Sequence, residues 1–88
     1  MDFEFDPGKS ERNQLKHGID FTEAQALWRS QIVSVPAKNV GEQRHLVIGT
    51  IGATYWSAII TYRGLVVRII SARRSTTGEI ETYEKVAG

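Results

Sequence analysis

The hydrophobic pattern of the chain predicts an α+β fold: two N-terminal helices, an antiparallel meander of three to four strands, and a C-terminal helix. Three observations carry this reading. Residues 55–75, YWSAIITYRGLVVRIISARRS, are the most apolar stretch, two β-branched runs joined at Arg63-Gly64, which is the pattern of a hairpin. Ahead of it stand two helix-start signals, Asp6-Pro7 and Asp20 with Glu23, each supplying a side-chain acceptor for orphan backbone N–H groups. Behind it, Thr76-Thr77-Gly78-Glu79 has the capping-box spacing again.

Phe3 and Phe5 alternate around Glu4, so a very short strand opens the chain. A first helix then runs from Pro7 to Lys16 or His17 and stops at Gly18. Leu15 is its only large apolar residue, while Lys9, Arg12, Lys16 and His17 make it basic. A helix this polar is ordinarily a solvated surface helix; the functional alternative is a helix that presents cations to a ligand. In the second helix Phe21, Ala24, Leu27 and Trp28 recur at helical spacing and belong to the core. Val33 and Val35 suggest a strand that Pro36 confines to an edge. AKNVGEQ at 37–43 reads as a polar loop, Arg44 to Ile51 as a strand, and Gly49 and Gly52 as a turn or bulge before Tyr55. In the last helix Ile80, Tyr83 and Val86 face inward, although Gly78 in its first turn works against it.

A two-residue turn at Arg63-Gly64 pairs Tyr62 with Leu65. In that register one face carries Trp56, Ala58, Ile60 and Tyr62 with Leu65, Val67, Ile69, Ser71 and Arg73. The other carries Tyr55, Ser57, Ile59 and Thr61 with Val66, Arg68, Ile70, Ala72 and Arg74, which sets Arg68 opposite Ile59. A cation in an apolar strand costs desolvation unless something pairs with it. The bland reading is an arginine that snorkels or bonds a carboxylate. The sharper one is that Arg68, Arg73 and Arg74 line a concave face and bind phosphate, for which the guanidinium fork is suited.

Eighty-eight residues make one small domain, 1–88, with a feasible but thin core. The net charge is +1, so any affinity for nucleic acid depends on how the cations are placed. With no cysteine there are no disulfides and no thiolate chemistry. No segment suits a bilayer span, and the acidic, aromatic start MDFEFDPGK is wrong for a signal peptide, so the expected location is cytoplasmic. There is no Gly-rich phosphate loop, nucleophile elbow or paired-Cys motif. His17, Asp20 and Glu23 are close in sequence, but the two carboxylates serve as caps and straddle a turn. No metal and no cofactor are therefore expected.

The sequence resembles the BrnT family, the toxin halves of a bacterial type II toxin–antitoxin system. The resemblance rests on FEFDPGK at 3–9, Asn13, KHGIDFTEA at 16–24, Ile48-Gly49, ITYRG at 60–64, RIISARRST at 68–76, and Glu79 with Tyr83. It implies a compact RelE-like fold and a ribonuclease that arrests translation. It also implies a ribbon-helix-helix antitoxin, BrnA, a toxin–antitoxin heterotetramer, and operator DNA bound only through the antitoxin. One departure is visible: where family members often carry an acidic residue after the second helix, this chain has Trp28, Arg29 and Ser30.

The reaction so implied is attack of an RNA 2′-hydroxyl on the adjacent phosphate, which needs a base, charge stabilisation and an acid, but no metal. His17 titrates near neutrality and is the first choice for base or acid, against an alternative role capping its own helix. Arg68 and Arg73 are the candidates for stabilising charge, and Tyr83 for donating or orienting a proton, against a core role. Lys9, Lys16, Arg63 and Arg74 are the candidates for holding substrate. Two other classes remain open: a non-catalytic RNA or ribosome binder, and a subunit that only holds an antitoxin.

Overall fold

The computed structural model describes residues 1–38 and 41–88. Residues 39 and 40 of the expected polar loop lie outside the described residues. The elements are β1 (Asp2–Glu4), α1 (Pro7–His17), a 3₁₀ helix (Glu23–Arg29), β2 (Val33–Ala37), β3 (Arg44–Ile51), β4 (Thr54–Arg63), β5 (Val66–Arg74) and α2 (Thr77–Ala87). The class is α+β, but the sheet has five strands in the order β1-β5-β4-β3-β2. It is mixed, because β1 runs parallel to β5 while the other pairs are antiparallel. The expected meander of three to four antiparallel strands is corrected accordingly. The chain leaves β1 through α1 and returns to its side only after crossing the whole sheet, a long-range pairing that no local turn signal announces.

The second helix is 3₁₀, not α. Its predicted cap does form: the Asp20 carboxylate accepts from the Glu23 N–H at 2.7 Å and the Glu23 carboxylate accepts from the Asp20 N–H at 3.0 Å. Ala24 and Leu27 are fully buried against the sheet. At Gly49 an added Cβ would stand 3.1 Å from Leu27 Cδ2, so this in-strand glycine admits the close approach of the short helix.

One face of the sheet holds the main core, in which Ile19, Phe21, Ala24 and Leu27 pack on Val47, Ala58, Ile60, Val67, Ile69 and Ala72. The opposite face carries α2, above the buried Val33 and Ile48. α1 has no apolar anchor; Leu15 is 84% exposed, and the buried residues of the helix are Ser10 and Asn13.

The β4–β5 turn falls at Gly64-Leu65, so Arg63 pairs with Val66 and Tyr62 with Val67. Gly64 takes the positive φ of +62° at the first turn position rather than the second. Ile60 pairs with Ile69, yet Ile59 pairs with Ser71, leaving Ile70 as an extra residue. This bulge moves every later residue of β5 to the other face. Arg73, expected opposite Arg68, therefore shares its face, and Arg74 takes the core side.

Candidate functional site

The bulge brings Arg73 beneath α2. Its guanidinium makes a two-pronged pair with Glu79, Nη1 to Oε1 at 2.8 Å and Nη2 to Oε2 at 2.9 Å. Glu79 is also the carboxylate of the predicted capping box, accepting from the Thr76 N–H at 2.9 Å while the Thr76 hydroxyl accepts from the Glu79 N–H. The Ser57 hydroxyl adds a third donor at 2.9 Å and lies 2.7 Å from the Ser75 hydroxyl. Arg73, the helix cap and Ser57 together lower the Glu79 pKa to about 2. At neutral pH that carboxylate is a poor proton acceptor. It holds Arg73 in place, and the sequence reading had given it only the capping role.

Arg73 also donates to the Arg74 carbonyl at 3.2 Å. Three of the five guanidinium N–H donors are thus engaged within the protein, and two remain for a ligand. Arg68, on the same face, pairs with Glu4 through one contact of 2.6 Å. The bland reading of an arginine bonded to a carboxylate thus describes part of what both side chains do.

Tyr83 lies one turn beyond Glu79 on α2. Its hydroxyl donates to the Gln31 carbonyl at 3.0 Å, and its ring meets Tyr55 edge-on at 5.6 Å. The Tyr55 hydroxyl donates to Glu84 at 2.8 Å, which raises its pKa. Both tyrosines therefore tie α2 to the sheet and to the segment before β2.

His17 stands at the end of α1, and α1 is fixed at the flank of β5. β1 covers only residues 66–68 of that edge. Further along, Asn13 takes the place of a strand. Its amide donates to the Ala72 carbonyl at 2.8 Å and accepts from the Ala72 N–H at 3.3 Å, while a second bond reaches the Ile19 carbonyl. The helix thus touches β5 one residue before Arg73. His17 lies one turn past Asn13 on the same helical face, half-buried, with no hydrogen bond or ion pair to Arg68, Arg73 or Tyr83.

The substrate-binding candidates are spread more widely. Lys9 and Lys16 are exposed on α1, and Arg63 is exposed beside the hairpin turn. Arg74 stacks over Trp56 at 5.7 Å on the opposite face from Arg73. Arg73 thus meets Glu79 at the start of α2, and Tyr83 meets Gln31 and Tyr55 one turn further on. Arg68 lies along the same sheet face as Arg73, α1 lies at the flank, and Arg74 is on the other face.

A family model for BrnT, described as the ribonuclease toxin of a type II toxin–antitoxin system, matches residues 5–79. No curated protein matches the chain.

Proposed function

The chain belongs to the BrnT family of type II toxin–antitoxin ribonuclease toxins, and from that premise we propose a metal-independent endoribonuclease that arrests translation from a single domain, 1–88. The family implies an RNA substrate and an antitoxin. The observation that carries the mechanism is the Arg73 fork, aimed by Glu79 and Ser57 at the foot of α2 with two N–H groups to spare.

In this reading Arg73 binds the scissile phosphate and neutralises the charge that grows on it as the 2′-hydroxyl attacks. Arg68, two rows away on the same face, steadies a neighbouring phosphate. His17 moves the proton at the β5 flank, and Tyr83 orients the site through its tie to Gln31. Lys9, Lys16, Arg63 and Arg74 attract the flanking phosphates. Attack leaves a 2′,3′-cyclic phosphate and a free 5′-hydroxyl, and since the nucleophile belongs to the RNA, no metal-bound water is needed.

The antitoxin in this reading is a ribbon-helix-helix protein of the BrnA kind, forming a heterotetramer that touches operator DNA through its own domain. β2 is an edge strand, and it offers backbone groups to an extended antitoxin segment, as the basic side of α1 does to an acidic one. No described helix is long and apolar enough to cross a membrane, in keeping with action in the cytoplasm, where ribosome-bound RNA is a candidate target.

The test is purified protein with single-stranded RNA in EDTA. Cleavage with cyclic phosphate ends, abolished by a 2′-deoxy nucleotide at the scissile position, is expected. Arg73→Ala should relieve growth arrest and lower the cleavage rate about 10²–10³-fold, the scale for losing one charge-stabilising donor, while circular dichroism shows a folded chain. A second reading, RNA or ribosome binding without scission, is favoured by the carboxylates that already occupy Arg68 and Arg73. Intact RNA ends after long incubation beside salt-dependent binding would select it.

A further inference from the structure

The sequence shows seven arginines, and the three that are partly buried, Arg44, Arg68 and Arg73, all point to the α2 face of the sheet. Arg68 and Arg73 each have a carboxylate. Among the described residues Arg44 has none, and its buried Nε has no hydrogen-bond partner among them either. A guanidinium held partly out of water without an anion is an unbalanced charge in the native state. It gains more from an arriving anion than a cation that is already paired.

Its place in the register says which anion. His45 pairs with Ile60, so Arg44 comes beside Thr61, whose hydroxyl donates to the Gln43 carbonyl at 2.8 Å. On the far side of Thr61 lies Arg68, and beyond it Glu4. Arg44 and Arg68 thus flank one buried threonine on neighbouring strands of β4, about 10 Å apart at their Cα atoms from the strand spacing. Ile59 and Leu46 form the next row along the same face and Ser57, with Arg73, the row after. Arg44 therefore stands at the end of the face remote from Arg73, with a half-buried apolar floor between them.

We propose that Arg44 is a further substrate-binding residue, which holds an RNA phosphate away from the scissile linkage. This inference rests on the ribonuclease reading for its ligand, but it concerns binding and not chemistry. The row of Arg44, Thr61 and Arg68 grips the strand at one end, the apolar floor passes beneath it, and Arg73 meets the linkage to be cut. Phosphate is the anion that suits a guanidinium without a carboxylate partner, and its capture adds to affinity and to the salt dependence of binding.

The experiment measures binding of a fully 2′-deoxy-substituted oligonucleotide, which the proposed chemistry does not cut, across a salt series. Arg44→Gln should weaken binding several-fold and make the slope of log affinity against log salt shallower by about 0.7, the single-strand value for one phosphate contact. On cleavable RNA it should raise KM with kcat unchanged. Arg44→Lys should keep the wild-type slope with weaker affinity, since the charge survives and the fork does not. Arg29→Gln, at an exposed position on the 3₁₀ helix, should bind as wild type.

A wild-type slope and affinity in folded Arg44→Gln would overturn the proposal. So would an equal loss in Arg29→Gln, or a loss of antitoxin binding alone. If Arg44→Gln does not fold, Arg44→Lys decides: undiminished affinity overturns the role and weaker affinity at constant slope supports it. A wild-type protein that binds this oligonucleotide yet cuts no RNA would remove the ribonuclease reading and leave the Arg44 result standing.

Discussion

The two halves of β5, before and after the Ile70 bulge, solve the same problems with different means. Before the bulge the outer edge of the strand is covered by the backbone of β1, and Arg68 on the α2 face meets Glu4 by one contact. After it the edge is covered by a side chain, Asn13, and Arg73 meets Glu79 by two. Glu4 makes no other side-chain hydrogen bond among the described residues, whereas Glu79 also caps α2 and accepts from Ser57. A pair whose carboxylate is tied to two further groups is pre-set in one geometry, and a lone pair near the surface is free to exchange partners. The downstream half is the one built to position a cation.

The comparison is broken most directly at Asn13. Asn13→Ala strips the Ala72 N–H and carbonyl and the Ile19 carbonyl of their partners. It should cost about 2–3 kcal/mol for the buried groups left unsatisfied, seen as a fall in Tm of about 10–20 °C for a chain this size. A change under a few degrees would mean that water replaces the amide, and that the edge needs no side-chain strand.

Glu79→Gln is a finer probe, because glutamine keeps one oxygen for the capping box while it removes the charge and turns the second acceptor facing Arg73 into a donor. It should cost about 1 kcal/mol at pH 7, given that both partners are partly solvated. The sign follows from the lowered pKa of Glu79, about 2 when folded. The carboxylate binds its proton less readily folded than unfolded, so its contribution is complete above the ordinary glutamate value. It fades as pH falls through the range from about 4.3 to the folded value. Acid unfolding followed by fluorescence should show the two proteins converging toward pH 2. A gap that stays constant with pH would assign the effect to packing.

The smallest effect belongs to the upstream pair. Glu4→Gln should change stability by about 0–1 kcal/mol, as for a solvent-accessible ion pair, and should free Arg68 for RNA. Chemical denaturation with a cleavage assay measures both. A loss as large as that of Glu79→Gln would erase the distinction between the two halves.

Much of this was legible in the sequence because it is local. Asp6, Asp20 with Glu23, and Thr76 with Glu79 cap where their spacing places them. Gly18 and Gly64 take the positive φ expected of them. What escaped was partly local, in the turn position and the 3₁₀ form of the second helix, and mostly non-local. The turn slipped by one residue, and the single extra residue at Ile70 exchanged the faces of Arg73 and Arg74. Nothing in RIISARR marks a bulge, since no glycine stands there. Glu79 was visible as a cap, but its pairing with Arg73 depends on that bulge. Asn13 stands in the family pattern, but the sequence assigns it no role, because the vacant edge it fills exists only in three dimensions. Arg44 opened a strand, and its lack of a carboxylate is likewise a property of the folded sheet.

The most direct test is kcat for cleavage of one defined RNA, in EDTA, by wild type, Arg73→Ala and Arg68→Ala, each shown to be folded. The account predicts that Arg73→Ala loses about 10²–10³-fold in kcat while Arg68→Ala loses at least tenfold less. Equal losses, or an Arg73→Ala protein as fast as wild type, would contradict it.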